Sequence, residues 1–236
     1  MSGQKIPILY EDNHLLVVEK PVNLPTQADS SGDPDLLSIL KHDLKTRYQK
    51  PGQVYLGLVH RLDRPVGGVM VFAKTSKAAS RLAEQLRTGG FKKTYLAVVH
   101  GKLEIKGHLE HFLAKDKAAN MVRVVSPADT SGKKAVLTYE VLAEKEGLSL
   151  VRVHLLTGRS HQIRVQFSAI GHPLYGDQKY GPSLNKPGQQ IALWSHRILF
   201  LHPTKKEEMS FTSSPPARAP WHLFLGRQNP IFLKEN

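Results

Sequence analysis

Between residues 94 and 156 the chain is a succession of short apolar segments broken by polar or glycine-containing stretches, and this pattern most constrains its fold. The segments cover residues 94–99, the neighbourhoods of 109–113 and 121–125, then 136–141 and 148–156. Each has the length of a strand, and together they are rich in valine and leucine, so a large sheet must accommodate them. Two further pairs lie elsewhere. Residues 8–10 and 15–18 flank Asp12-Asn13 as a hairpin, and residues 55–59 and 69–73 flank a turn-bearing stretch at 60–68. Strands also fit residues 191–201 and 209–212, on either side of which lie a Gly-, Pro- and Tyr-containing loop at 171–188 and a proline-rich tail.

Helices are few. Asp33 and Pro34 suit the N-cap and first turn of a helix whose buried face is Leu37, Leu40 and Leu44. A second helix is predicted from Thr75 or Ser76 through Ala79, Leu82, Ala83 and Leu86, stopped by Gly89-Gly90. Ser160 is expected to cap a third, with Ile163, Phe167 and Ile170 on its apolar face and Gly171 at its end. The irregular order of strands and helices argues for an α+β fold with a mixed, largely antiparallel central sheet and flanking helices. No fixed-period repeat or compositional break marks a linker, so residues 1–236 are expected to form a single catalytic domain.

The 33 Lys and Arg residues against 20 acidic ones leave a formal charge of +13, which favours a polyanionic partner, nucleic acid above all. The absence of cysteine excludes disulfides, thiolate metal sites and cysteine nucleophiles. The 12 histidines show no metal-ligating spacing, so no metal is expected. No apolar run approaches a membrane span, and the default expectation is a cytoplasmic protein without a membrane partner.

The stretch His60-Arg61-Leu62-Asp63-Arg64-Pro65-Val66-Gly67-Gly68 sets one carboxylate between two arginines where a strand meets a turn. Flanking cations favour the ionised form of a carboxylate, which suits Asp63 to act as a nucleophile or base. By itself such a string is more often a salt-bridged turn. Two further blocks change that weighing. Lys92-Lys93-Thr94-Tyr95-Leu96-Ala97 opens a strand, and Leu156-Thr157-Gly158-Arg159-Ser160-His161-Gln162-Ile163-Arg164 runs on to Gly171-His172-Pro173-Leu174-Tyr175-Gly176-Asp177.

In order and spacing these blocks resemble the motifs of RluA-type pseudouridine synthases, over roughly residues 8–224. The resemblance departs at Gly67, where the family usually carries serine. It implies the pseudouridine synthase fold with an active-site cleft, and an isomerase that turns specific uridines of rRNA or tRNA into pseudouridine without a cofactor. It also implies that Asp63 is the catalytic carboxylate, acting either on the base or at the sugar. Tyr95 would stack on the flipped uracil and serve in proton removal, and Arg164 would pair with Asp63. His60, Arg61, Arg64, Arg159 and His161 are implied as substrate contacts, Arg61 filling the space the base vacates. The chain resembles the short members that lack an S4-type domain, and a monomer is expected. A non-catalytic RNA-binding protein of the same fold is the alternative, against which the joint presence of Asp63, Tyr95 and Arg164 speaks. The lysine pairs 92–93, 133–134 and 205–206 are candidate phosphate contacts.

Overall fold

The computed structural model describes residues 5–116 and 118–224. In chain order its elements begin β1 (Ile8–Glu11), β2 (Leu15–Lys20), α1 (Leu36–Arg47), β3 (Gly57–Leu58), β4 (Gly67–Ala73), α2 (Ser76–Thr88) and β5 (Lys92–His100). They continue as β6 (Lys106–Asp116), β7 (Met121–Val125), β8 (Lys133–Lys145), β9 (Leu148–Leu155), α3 (Gln162–Ala169), β10 (Leu193–Leu201) and β11 (Glu208–Thr212). Residues 221–223 close the described chain with a short 3-10 turn. This is the strand-rich, mostly antiparallel α+β architecture expected from the sequence.

The chain divides into two compact units, the first drawn from Met1–Lys93 and Ser195–Ser214, the second from Thr94–Trp194 and Pro215–Asn236. In the first, strands run in the order β1-β2-β4-β10, with β11 paired to β10 and β3 to β4. Every residue of β4 is buried, as are Leu15, Leu16, Val17 and Val18 of β2. Both strands are therefore apolar on both faces rather than alternating, as strands covered on two sides must be. One face is packed by α2, whose Ala78 and Leu82 join Leu15, Val17, Val69, Val71, Phe91, Ile198 and Phe200 in a core cluster. In the second unit the order is β5-β9-β8-β6-β7, with β5, β9, β8 and β6 paired antiparallel in turn.

Helix ends show where local signals held and where they gave way. Thr75 caps α2 by accepting from the Ala78 N–H at 3.2 Å, and Gly89 ends it at φ 80°. The first helix starts two residues later than Asp33-Pro34 suggested. Its cap is Asp35, which accepts from the Ser38 N–H at 3.0 Å, so Leu36 rather than Leu37 joins Leu40 and Leu44 on the buried face. Asp33 is instead ion-paired with Arg64. Nor does Ser160 cap α3. His161 holds that position in a left-handed conformation without a side-chain cap bond, and the Gln162 side chain accepts from Thr157 Oγ1 and the Arg159 N–H at 2.8 and 3.0 Å.

A polar staple ties the β1–β2 hairpin to the turn after β10. Asp12 accepts from the N–H groups of His14 and Leu15, both at 2.7 Å, and lies 2.8 Å from Nε2 of the fully buried His202. Partial burial pushes the Asp12 pKa up, but the two backbone donors, followed by His202 and Tyr10, outweigh it and bring the value down to about 2. An acid whose folded pKa is depressed stabilises the fold above its unfolded pKa and loses that contribution as pH falls through the folded value. We therefore expect the wild type to lose roughly 2 kcal/mol between about pH 4 and pH 2 through this group alone. Asp12→Asn should flatten that part of the stability profile in urea titrations and be less stable at neutral pH.

Candidate active site

The segment between β3 and β4 carries His60, Arg61, Asp63 and Arg64, and buried donors set its shape. Lys20, the last residue of β2, has no exposed surface. Its ammonium donates to the carbonyls of Pro21, Arg64 and Val66 at 3.0, 3.1 and 2.7 Å. Thr26 Oγ1 donates to the Leu62 carbonyl at 2.8 Å and accepts from the Leu62 N–H at 3.3 Å. The Val66 N–H closes the turn onto the Asp63 carbonyl at 3.0 Å. The backbone is thus held on both sides of Asp63, which presets the direction of its carboxylate.

Burial pulls the Lys20 pKa down to about 7, with the Asp63 charge acting to raise it and the Arg64 charge to lower it. Three carbonyls match the three protons of an ammonium, so the pocket suits the cationic form. In its ammonium form Lys20 is attracted by the Asp63 charge, and the sequence reading did not single it out. A lysine two positions past the apolar run Leu15-Leu16-Val17-Val18, after Glu19 and before Pro21, was the available signal. Arg64 is directed elsewhere. It is ion-paired with Asp33 and with Asp29 at 3.8 Å, and it donates to Ser31 Oγ at 3.1 Å. Arg61 is exposed.

His60 is only 9% exposed, and its Nε2 accepts from the Val71 N–H at 3.2 Å while the ring packs on Phe91. Desolvation, assisted by the Lys93 charge, pushes its pKa down to about 3, so the imidazole is neutral. It braces the turn from behind, and the outward RNA contact suggested by the sequence has little exposed ring to work with. Just past the turn, Gly68 takes φ +116°, and a Cβ there would lie 2.2 Å from the carbonyl oxygen of Ser195. Only glycine permits that approach.

Tyr95, Arg159, His161 and Arg164 belong to the second unit. Tyr95 lies opposite Val153 in the β5–β9 pairing and is 6% exposed. Arg159 is exposed and donates to the Lys134 carbonyl at 2.9 Å. Arg164, on α3, is buried and gives Nε and Nη2 to the two carboxylate oxygens of Asp177, each at 2.8 Å. Its guanidinium carbon lies 5.1 Å from the centre of the Tyr180 ring, whose hydroxyl meets His161 Nδ1 at 2.6 Å. Asp177 and Tyr180 are thus neighbours of Arg164 that the sequence reading did not single out, although Asp177 stood within the third motif.

The family described as RNA pseudouridylate synthase matches residues 14–169, a stretch that includes Asp63, Tyr95 and Arg164. The chain belongs to this family. Among curated relatives, the uncharacterized RNA pseudouridine synthase YhcT of Bacillus subtilis is 38% identical over 86% of this chain and 66% of its own length. This chain therefore spans about two-thirds of that relative. The ribosomal large subunit pseudouridine synthase D of Zymomonas mobilis is 34% identical over 90% of this chain and 71% of its own. Human RNA pseudouridylate synthase domain containing 4 shares the fold, with a TM-score of 0.73, 24% identity, and coverage of 89% of this chain and 88% of its own. Membership of the pseudouridine synthases brings with it an isomerase reaction class and RNA as substrate. Among the described residues no helix is long and apolar enough to cross a membrane.

Two substitutions probe the scaffold of the Asp63 turn. Lys20→Met leaves the Pro21, Arg64 and Val66 carbonyls without their donor, the last of them buried, and should cost about 3 kcal/mol. Gly68→Ala forces a methyl group against the Ser195 backbone and should cost about 2–4 kcal/mol. Urea denaturation of both variants, with conservative changes on the exposed face of α2 as controls, checks these values.

Proposed function

We propose that this pseudouridine synthase isomerises uridines in structured RNA with Asp63 as its catalytic carboxylate. The observation that carries the proposal is the Asp63 turn, pinned by Lys20 and Thr26 through carbonyls and an N–H on both sides of the carboxylate. Such rigid support is what a reacting group needs and what a merely solvated turn aspartate would not require.

The reaction breaks the bond between uracil N1 and ribose C1′, turns the base, and joins C5 to C1′. The C5 proton leaves, N1 gains a proton, and no other atoms enter or depart. The target base must first leave its stack, at a cost of a few kcal/mol in paired RNA. Arg61, exposed at the turn beside Asp63, is the side chain we assign to the vacated space. Tyr95 supplies an aromatic face for the extruded uracil and the group that assists in removing the C5 proton. Arg164 is the cation that pairs with Asp63 during the reaction. Arg64, Arg159 and His161 contact the RNA around the target, Arg64 in exchange for its present ion pairs with exposed loop acids. No cofactor takes part.

Ribosomal RNA is the substrate we favour over tRNA, because relatives from Zymomonas mobilis and Yersinia pestis bear the name ribosomal large subunit pseudouridine synthase D. The protein acts as a cytoplasmic monomer, and its excess of 33 basic over 20 acidic residues draws it to the phosphate backbone. Tritium release from RNA labelled at uridine C5, in large-subunit rRNA and in tRNA, tests the proposal. The wild type should release tritium from rRNA, and Asp63→Asn should lower the rate at least about 100-fold while still binding RNA. Release from tRNA alone would reassign the substrate. Absence of release from either RNA, with binding intact, would establish the non-catalytic RNA-binding alternative.

A further inference from the structure

Arg164 is held more firmly than a charge partner of a substrate-facing carboxylate needs to be. Its Nε–Nη2 edge makes a two-point contact with Asp177, whose side chain is fully buried. The carboxylate is itself fixed, because Oδ1 also accepts from the N–H groups of Lys179 and Tyr180 at 3.1 and 3.2 Å. The loop that carries it is locked in turn by Asn185, whose side-chain amide donates to the carbonyls of Leu174, Asp177 and Gly181 at 3.1, 3.2 and 2.8 Å. Tyr180 supports the guanidinium from its flat side, and its own hydroxyl is anchored by His161 and by the Val122 N–H at 3.0 Å. Four donor contacts surround this buried carboxylate, three on Oδ1 and one on Oδ2, and all of them come from its protein neighbours.

We infer that Asp177 is a positioning residue: by occupying the Nε–Nη2 edge of Arg164 it fixes the plane and direction of the guanidinium that the proposed reaction uses. A guanidinium fork has rigid geometry, and two parallel bonds to a fixed carboxylate remove its rotational freedom in a way that a lysine ammonium cannot reproduce. Because the inference rests on the reading of Arg164 as the charge partner of Asp63, its test must separate the two.

The experiment measures kcat and KM by tritium release from rRNA for the wild type, Asp177→Asn, Arg164→Lys and the double variant, with Tm recorded for each. Asp177→Asn is expected to lower kcat at least about 30-fold and to leave KM within about threefold. In the Arg164→Lys background, where no fork exists, the same substitution should change kcat by less than about threefold. Wild-type kcat in Asp177→Asn, an effect on KM alone, or an equal fold-loss in both backgrounds would overturn the inference and leave a purely structural ion pair. Should Asp177→Asn not fold, Asp177→Glu keeps the charge and displaces the fork by one methylene, and the same kcat and KM criteria apply to it. If Arg164→Lys is as active as the wild type, the role given to Arg164 fails and this inference with it. If Arg164→Lys and Asp63→Asn are both impaired while Asp177→Asn is not, only the positioning role fails.

Discussion

The Lys20 ammonium and the three carbonyls around it form the interaction on which the candidate site of the first unit depends. A buried cation in an apolar strand is costly unless every proton finds an acceptor. Here Pro21, Arg64 and Val66 supply those acceptors, and two of them belong to the segment that carries Asp63. The same contact therefore satisfies the charge, ends strand β2 and shapes the turn. Gly68 extends the arrangement by letting β4 begin directly against the backbone of Ser195.

In each unit the polar groups of the candidate site are set by other buried polar groups. Lys20 and Thr26 hold the backbone around Asp63, and Asp177 holds the side chain of Arg164. Low local polarity strengthens such bonds and also makes each of them costly to lose, so a network of this kind is rigid as long as it is complete. The remaining candidates differ in character. Arg61 and Arg159 are exposed, where long basic side chains remain available for phosphate or for a gap in a base stack.

Much of the architecture was legible along the chain. The strand positions in both halves emerged from apolar segments and turn residues, and Thr75 and Gly89 marked both ends of α2. What local reading misplaced were the caps, since several candidates within two or three residues compete and a distant partner decides among them. Asp33 was expected to cap α1, but it is ion-paired with Arg64, remote in sequence, and Asp35 is the cap. Ser160 does not cap α3, whose N-cap is His161. His60 was legible as part of a motif but not as a buried, neutral brace, because burial depends on Phe91 packing against it.

By itself, then, the sequence determined the α+β class, the approximate strands and helices, the polyanion-seeking charge, and the three motif blocks that tie the chain to the RNA pseudouridylate synthases. These are properties of local periodicity, composition and residue order, which need no knowledge of distant contacts. Only the tertiary structure decided that Lys20 rather than Arg64 is the buried cation beneath the Asp63 turn, and that Asp177 grips Arg164. Lys20 and Val66 are 46 residues apart, and Arg164 and Asp177 are 13 apart. Hydrogen bonds at such separations depend on how strands and loops pack, and side-chain chemistry along the chain does not encode that packing locally.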